Sequence, residues 1–219
     1  MSGSITIDYY TDVLCVWAWI AQPRLNELNE KWEGQVLVRH RYLDIFGDAH
    51  RKIRDKWGGN GGFTNFSAHV HESAEAYPEI AVNRDIWKHT RPTSSLAAHL
   101  YIKAAEVACG YPVAQEYALD IRRAFFLEAR DVSNADILSQ LASGINIPID
   151  ALRLALDNGT ALAALSKDLR DAQQQHVHGS PTWVLNEGRQ VLFGNVGYRI
   201  LHTNIEELLR TDAGSASWC

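Results

Sequence analysis

Cysteine is scarce in this chain. Its 219 residues hold three thiols, Cys15, Cys109 and Cys219, too few and too widely spaced for a disulfide scaffold or a structural zinc site. If they carry function, at least one does so as a reactive thiol. Long apolar runs are also missing. No stretch approaches the ~20 residues that span a bilayer, and Met1-Ser2-Gly3-Ser4 leads into an alternating segment instead of a signal peptide's charged head and apolar run. The expectation is a cytoplasmic protein with no membrane partner. Charge of one sign is limited as well. Lys and Arg number 21 against 26 Asp and Glu, a net charge of −5, and no basic cluster offers a footprint for nucleic acid. No period of about 20 to 50 residues repeats, which excludes a solenoid. What is present is 46% hydrophobic and 21% charged residues, the composition of a globular chain able to bury a core. The length suits one large domain or a small core carrying an insertion.

Ile5 to Tyr10 alternates apolar and polar positions, the period of a strand. Trp17, Ala21, Leu25, Leu28 and Trp32 then fall at helical spacing, with Pro23 expected to bend that helix without ending it. Gln35 to Tyr42 reads as a second strand, giving a parallel, right-handed β-α-β opening. From Asp44 to about Asn65 the chain reads as loop, and Gly58 to Gly62 as a mobile surface loop. Between about Thr64 and His176 only helix patterns occur, among them Leu96, Leu100, Ala104 and Val107, with start signals at Thr93, Ser133 and Thr160. Thr182 to Asn186 and Gln190 to Phe193 read as a hairpin around Glu187-Gly188-Arg189, followed by a helix carrying Leu201, Ile205 and Leu208. The expected class is therefore α/β, a thioredoxin-like fold with a large all-helical domain inserted between its β-α-β and β-β-α halves. The corresponding segments are 1–63, 64–177 and 178–211, with a frayed tail at 212–219.

In that fold the chemistry sits where the first strand meets the first helix. The sequence there is Asp12-Val13-Leu14-Cys15-Val16-Trp17-Ala18-Trp19. Together with His178-Gly179-Ser180-Pro181-Thr182-Trp183-Val184 and Arg130-Asp131-Val132-Ser133-Asn134, it resembles the DsbA-like branch of the thioredoxin superfamily. Specifically, it resembles the FrnE-type oxidoreductases and their relatives, the 2-hydroxychromene-2-carboxylate isomerases and kappa-class glutathione transferases. The resemblance runs from Ile5 to Leu209. It implies a Cys-Pro-Trp-Cys or Ser-Pro motif at position 15, and a cis Pro181 that leaves the Ser180 backbone free to pair with an extended thiol substrate.

A thiol at a helix N-terminus meets unpaired amides and the positive end of the dipole, which lower its pKa from about 8.5 and favour the nucleophilic thiolate. Here the second cysteine of C-x-x-C is Ala18, and alanine cannot release a mixed disulfide. A two-cysteine cycle confined to the motif is excluded. What remains is monothiol chemistry with glutathione as second thiol, resolution by the distant Cys219, or a catalytic role for Cys15 without redox change. Cys109 reads as core packing.

Trp17, Trp19 and Trp183 are expected around the cleft, Trp17 being the one most suited to core packing. Thr182 belongs with Ser180 and Pro181 to the substrate-binding loop. Asn195 matches the run that holds the glutamyl end of glutathione in the glutathione-using relatives, while Val196 replaces its aspartate. The pairs His69/His71 and His176/His178 complete no recognised ligand set, so no metal is expected. Gly58 to Gly62 lacks the context of a phosphate loop. Three functions follow: a FrnE-type monothiol oxidoreductase acting on a small or protein thiol/disulfide substrate, a glutathione-dependent isomerase or transferase, or a degenerate thioredoxin-fold binding module. Sheet edges and a broad helical face leave room for a homodimer.

Overall fold

The computed structural model describes residues 5–210. Strand β1 (Ile5–Thr11) leads through a turn into α1 (Val16–Ile20) and α2 (Gln22–Lys31), and β2 (Val36–Tyr42) returns parallel to β1. The single helix expected here is two. Pro23 sits in the first turn of α2, where its missing N–H breaks the ladder, so the chain restarts at Ala21. The stripe shifts phase at the break. Leu25 and Leu28 are buried from α2, while α1 buries Val16, Ala18, Trp19 and Ile20 and leaves Trp17 half-exposed.

The stretch expected to be loop is mostly helix. Asp48 accepts a hydrogen bond from the Arg51 amide at 2.9 Å and starts α3 (Ala49–Trp57), whose Ala49 and Ile53 are buried. A single 3-10 turn at Gly58–Asn60 and a left-handed Gly61 (φ 73°) then pass directly into α4 (Gly62–Glu75). Polar composition hid α3, because only two of its residues face the core. The remaining helices are α5 (Leu96–Cys109), α6 (Tyr111–Phe126), α7 (Ala135–Gly144), α8 (Ile149–Asp157) and α9 (Thr160–Gln174). Helix α5 starts after Ser95 instead of Thr93. Helix α7 is capped by Asn134, not Ser133, through a hydrogen bond from the Asp136 amide.

Strands β3 (Thr182–Leu185) and β4 (Gln190–Phe193) form the hairpin, and α10 (Tyr198–Arg210) closes the fold. The sheet order is β2-β1-β3-β4, with β3 antiparallel to both neighbours. One face packs Ile5, Ile7, Tyr9 and Trp183 against Leu25, Leu28, Leu201 and Ile205 of α2 and α10. On the other, Tyr10 and Val184 meet Leu43, Ala172 and Val177. The largest core fills the helical block and continues unbroken into Val13, Leu14, Cys15, Val16, Ala18 and Trp19. The strand-helix junction is thus built into the same core as the insert. Among the described residues no helix is long and apolar enough to cross a membrane.

Candidate active site

β1 ends at Thr11, and Asp12 turns the chain toward α1. Its Oδ1 accepts from the Leu14 amide at 2.9 Å; its Oδ2 accepts from the amides of Ile45 and Phe46 at 3.2 and 3.0 Å and from Ser95 Oγ at 2.7 Å. The carboxylate is fully buried, and this donor set compensates the cost of burying it. His99 Nε2 accepts from the Val13 amide at 3.1 Å, fixing the next residue of the turn. Asp12, Ser95 and His99 all escape the sequence reading. Asp12 stands within the quoted motif, but the partners of its Oδ2 lie 33 and more positions away.

Cys15 is the N-cap of α1, with extended backbone (φ −80°, ψ 117°). It is only 6% exposed. Its Sγ donates to the Ser180 carbonyl at 3.1 Å, and the Ser180–Pro181 bond is cis. The Asp12 amide donates to Ser180 Oγ at 3.0 Å, so strand end and proline loop are tied twice. The expected depression of the Cys15 pKa is not what this environment produces. Burial dominates and raises it. The Ser180 side chain and the amides of Ala18 and Trp17 pull downward without cancelling that effect, and the Asp12 carboxylate adds to the rise. In this arrangement the resting group is a protonated thiol engaged with the Ser180 carbonyl, and that carbonyl is released to a substrate when the thiol ionises.

The neighbouring side chains divide differently from the sequence reading. Trp19, expected to line the cleft, is buried, donates from its indole N–H to the Ala81 carbonyl at 3.0 Å and stacks on Phe126 at 5.4 Å. Trp183 is fully buried against Tyr9 at 4.3 Å. Trp17, assigned to the core, is the one that reaches the surface. Thr182 is buried as well; its Oγ1 donates to the Gly179 carbonyl at 2.7 Å and braces the proline loop from inside. A Cβ at Gly179 would lie 2.1 Å from the ring of Phe193, so a larger residue there would displace that exposed ring. Ala18 has no exposed surface, and its methyl sits in the core.

Asn195 is already engaged. Its Oδ1 accepts from Arg24 Nη1 at 2.6 Å and its Nδ2 donates to Tyr77 Oη. Arg24 also donates to the Ile20 carbonyl at 3.1 Å and lies 5.7 Å from the Tyr77 ring centre. A guanidinium from α2 therefore stands beside the post-hairpin loop, a partner that the sequence reading missed. Cys109 is a half-buried free thiol at the end of α5, and Cys219 lies outside the described residues. Both ring nitrogens of His71 meet backbone carbonyls, of Ser67 and Asn83, and the His176 and His178 rings lie 6.4 Å apart. Among the described residues no three His, Cys, Asp or Glu side chains gather as metal ligands.

A buried thiol capping the first helix, in contact with a cis-proline loop where the neighbouring strands β1 and β3 of a four-stranded sheet end, defines a thioredoxin-fold thiol site. The chain belongs to the DSBA-like thioredoxin domain family, whose model matches residues 6–206. It is 22% identical over 186 residues to the ClpXP adapter protein SpxH of Bacillus subtilis (strain 168), a match covering 81% of this chain and 57% of that protein. The chain thus spans little more than half the length of that relative. Among solved structures, the cytosolic disulfide reductase DsbM from Pseudomonas aeruginosa with GSH superposes with a TM-score of 0.72 at 20% identity, covering 94% of this chain and 100% of that one. A 2-hydroxychromene-2-carboxylate isomerase superposes with a TM-score of 0.65 at 16% identity, covering 94% and 96%. These likenesses show the fold.

Proposed function

We propose that this protein is a single-cysteine thiol–disulfide oxidoreductase of the cytoplasm, with Cys15 as nucleophile and glutathione or a related small thiol as its partner. The observation that carries the reading is the 3.1 Å contact between Cys15 Sγ and the Ser180 carbonyl at the cis-proline loop. It puts the one thiol of the motif against the backbone that an extended disulfide substrate would pair with. Deprotonated Cys15 attacks one sulfur of a disulfide R–S–S–R′; a Cys15–S–S–R bond forms, the S–S bond breaks and R′–S⁻ leaves to take up a proton. With Ala18 in place of a second cysteine, a glutathione thiolate attacks the R sulfur, yields R–S–S–glutathione and returns Cys15 as thiolate. Ser180, Pro181 and Trp17 flank the reacting sulfur; Ala18 keeps the intermediate waiting for the external thiol. The described relative from Pseudomonas aeruginosa, bound to GSH, supports a thiol of that class, and Cys219 remains a second candidate for resolution.

A second reading has its own observation. The raised Cys15 pKa suits a protonated donor better than a nucleophile, and Arg24 beside Asn195 offers a cation to a glutathione carboxylate near the site. In that reading the chain binds reduced glutathione, whose thiol does isomerase chemistry. One experiment separates them. The protein is treated with oxidised glutathione across pH 6 to 10 and the Cys15 peptide is read by mass spectrometry. The oxidoreductase reading expects one glutathione adduct on Cys15, absent in Cys15→Ser, with a rate still climbing above the ordinary thiol range of about 8.5. No adduct at any pH, with calorimetric binding of reduced glutathione that survives in Cys15→Ser, overturns it in favour of the isomerase.

A further inference from the structure

A groove of about 450 Å³ lies between α2 and α6, over the β2 edge and separate from the thiol. Leu25, Val36, Val38, Pro112 and Leu119 give it apolar walls, with half-exposed Leu37 beside them. Arg122 of α6 also lines it, although it is only 2% exposed. Its Nη2 donates to Thr11 Oγ1 at 2.7 Å, while Nη1 is buried with no partner. The buried carboxylates are taken elsewhere. Asp8 pairs with Arg39 and Arg41, Asp168 with Arg41 and Lys103, and Asp12 with backbone amides and Ser95. Among the described residues no ion pair reaches Arg122.

A buried charge without a counter-ion costs several kcal/mol, and the fork of a guanidinium matches a carboxylate in geometry. Two more buried atoms on lining residues lack partners, His40 Nδ1 and the acceptor Gln115 Oε1. Burial, then Arg122 and Lys103, hold His40 down to about 3. Its ring is therefore neutral and adds no second cation. Gln22, Asn26, Asn29 and the exposed carboxylate of Glu116 also line the groove, so with Arg122 as the one cation of the lining it suits a monoanion better than a phosphate, which would bring two negative charges to a single guanidinium.

We infer that this groove is a binding site for an organic carboxylate with an apolar body, the carboxylate anchored on Arg122 and the body lying along Leu25, Val38 and Leu119. The site is independent of Cys15 and of the thiol chemistry. Octanoate and octan-1-ol are the probes, followed by calorimetry and thermal shift on the full chain. Octanoate is expected to bind and raise the melting temperature, equally in Cys15→Ser. Octan-1-ol, which has the same body without the charge, is expected to bind at least about tenfold more weakly, the worth of one charge-assisted contact. Arg122→Met is expected to lose octanoate affinity by roughly the same factor. Leu37→Glu, at an exposed position, is expected to weaken it by like-charge repulsion and keeps the test decisive should Arg122→Met not fold. Absence of octanoate binding, equal affinity for the alcohol, or unchanged affinity in either variant overturns the assignment.

Discussion

Ala18 follows Cys15 by three residues, and its methyl shares the core with Val16 and Trp19. Replacing a methyl by a thiol at that point adds one sulfur at the inner side of the α1 cap, within the spacing of a C-x-x-C pair. Ala18→Cys is therefore expected to convert the site to a dithiol. On mild oxidation the variant should lose two hydrogens by intact mass and both cysteines of the pair should resist alkylation, while the glutathione adduct on Cys15 becomes short-lived. Independent alkylation of both thiols after oxidation would contradict this. Cys15 and the proline loop were legible in the sequence because each is a short local word. The state of the thiol was not. Its raised pKa comes first from burial, in a core that the junction shares with the insert, and no residue near position 15 announces that.

The elements are held to one another by a buried charge cluster that links β1, β2, α5 and α9. Asp168 of α9 accepts from Arg41 Nη1 at 3.0 Å and from the Tyr42 amide at 3.2 Å, and lies 2.9 Å from Lys103 Nζ of α5. Asp168 and Lys103 are almost wholly buried. Asp168→Asn takes one of two carboxylate partners from Arg41 and from Lys103, leaving them Asp8 and Glu106, and the expected loss is about 3 kcal/mol in urea denaturation. A loss under about 1 kcal/mol would mean that water or Glu106 takes over the lysine. The strands, the hairpin and α10 follow from alternation and helical spacing, and the parallel β1–β2 register falls within the segments read as strands. Helix α3 did not show, because Asp48 supplies its start and only Ala49 and Ile53 supply its buried face. The break at Ala21 was misjudged because the apolar stripe continues in sequence across a change of phase.

At the scale of the whole molecule, two histidines sit between the sheet and the helical block in neutral form. His40 is lowered to about 3, by burial first and then by Arg122 and Lys103. His99 is lowered to about 4, by burial first, with Asp12 opposing and Arg122 and Lys103 assisting. For such groups the unfolded chain binds protons that the native state refuses. Their contribution is full above the unfolded value of 6.5 and is lost as pH falls toward the folded values. Stability is expected to drop below pH 6.5 by about 1.4 kcal/mol per unit for each histidine. Thermal melts between pH 7 and 4 measure it, and His99→Gln should flatten the slope by about half. A flat profile would show that neither ring is buried neutral.

The single core that joins the insert to the strand-helix junction also sets how quickly the thiol becomes reachable. Separating the helical layer from the sheet would expose Leu14, Trp19, Phe125 and Phe126 together, so a slow domain swing is an expensive route to Cys15. The inexpensive one is a small excursion of residues 178–181, held by the Cys15 and Thr182 contacts and by the Asp12 amide. Loop movements of that size run in nanoseconds to microseconds rather than the microseconds to milliseconds of hinged domains. Access to the sulfur then equilibrates faster than thiol–disulfide exchange, and the observed rate of adduct formation reports the fraction of time the loop stands open multiplied by the fraction of thiolate.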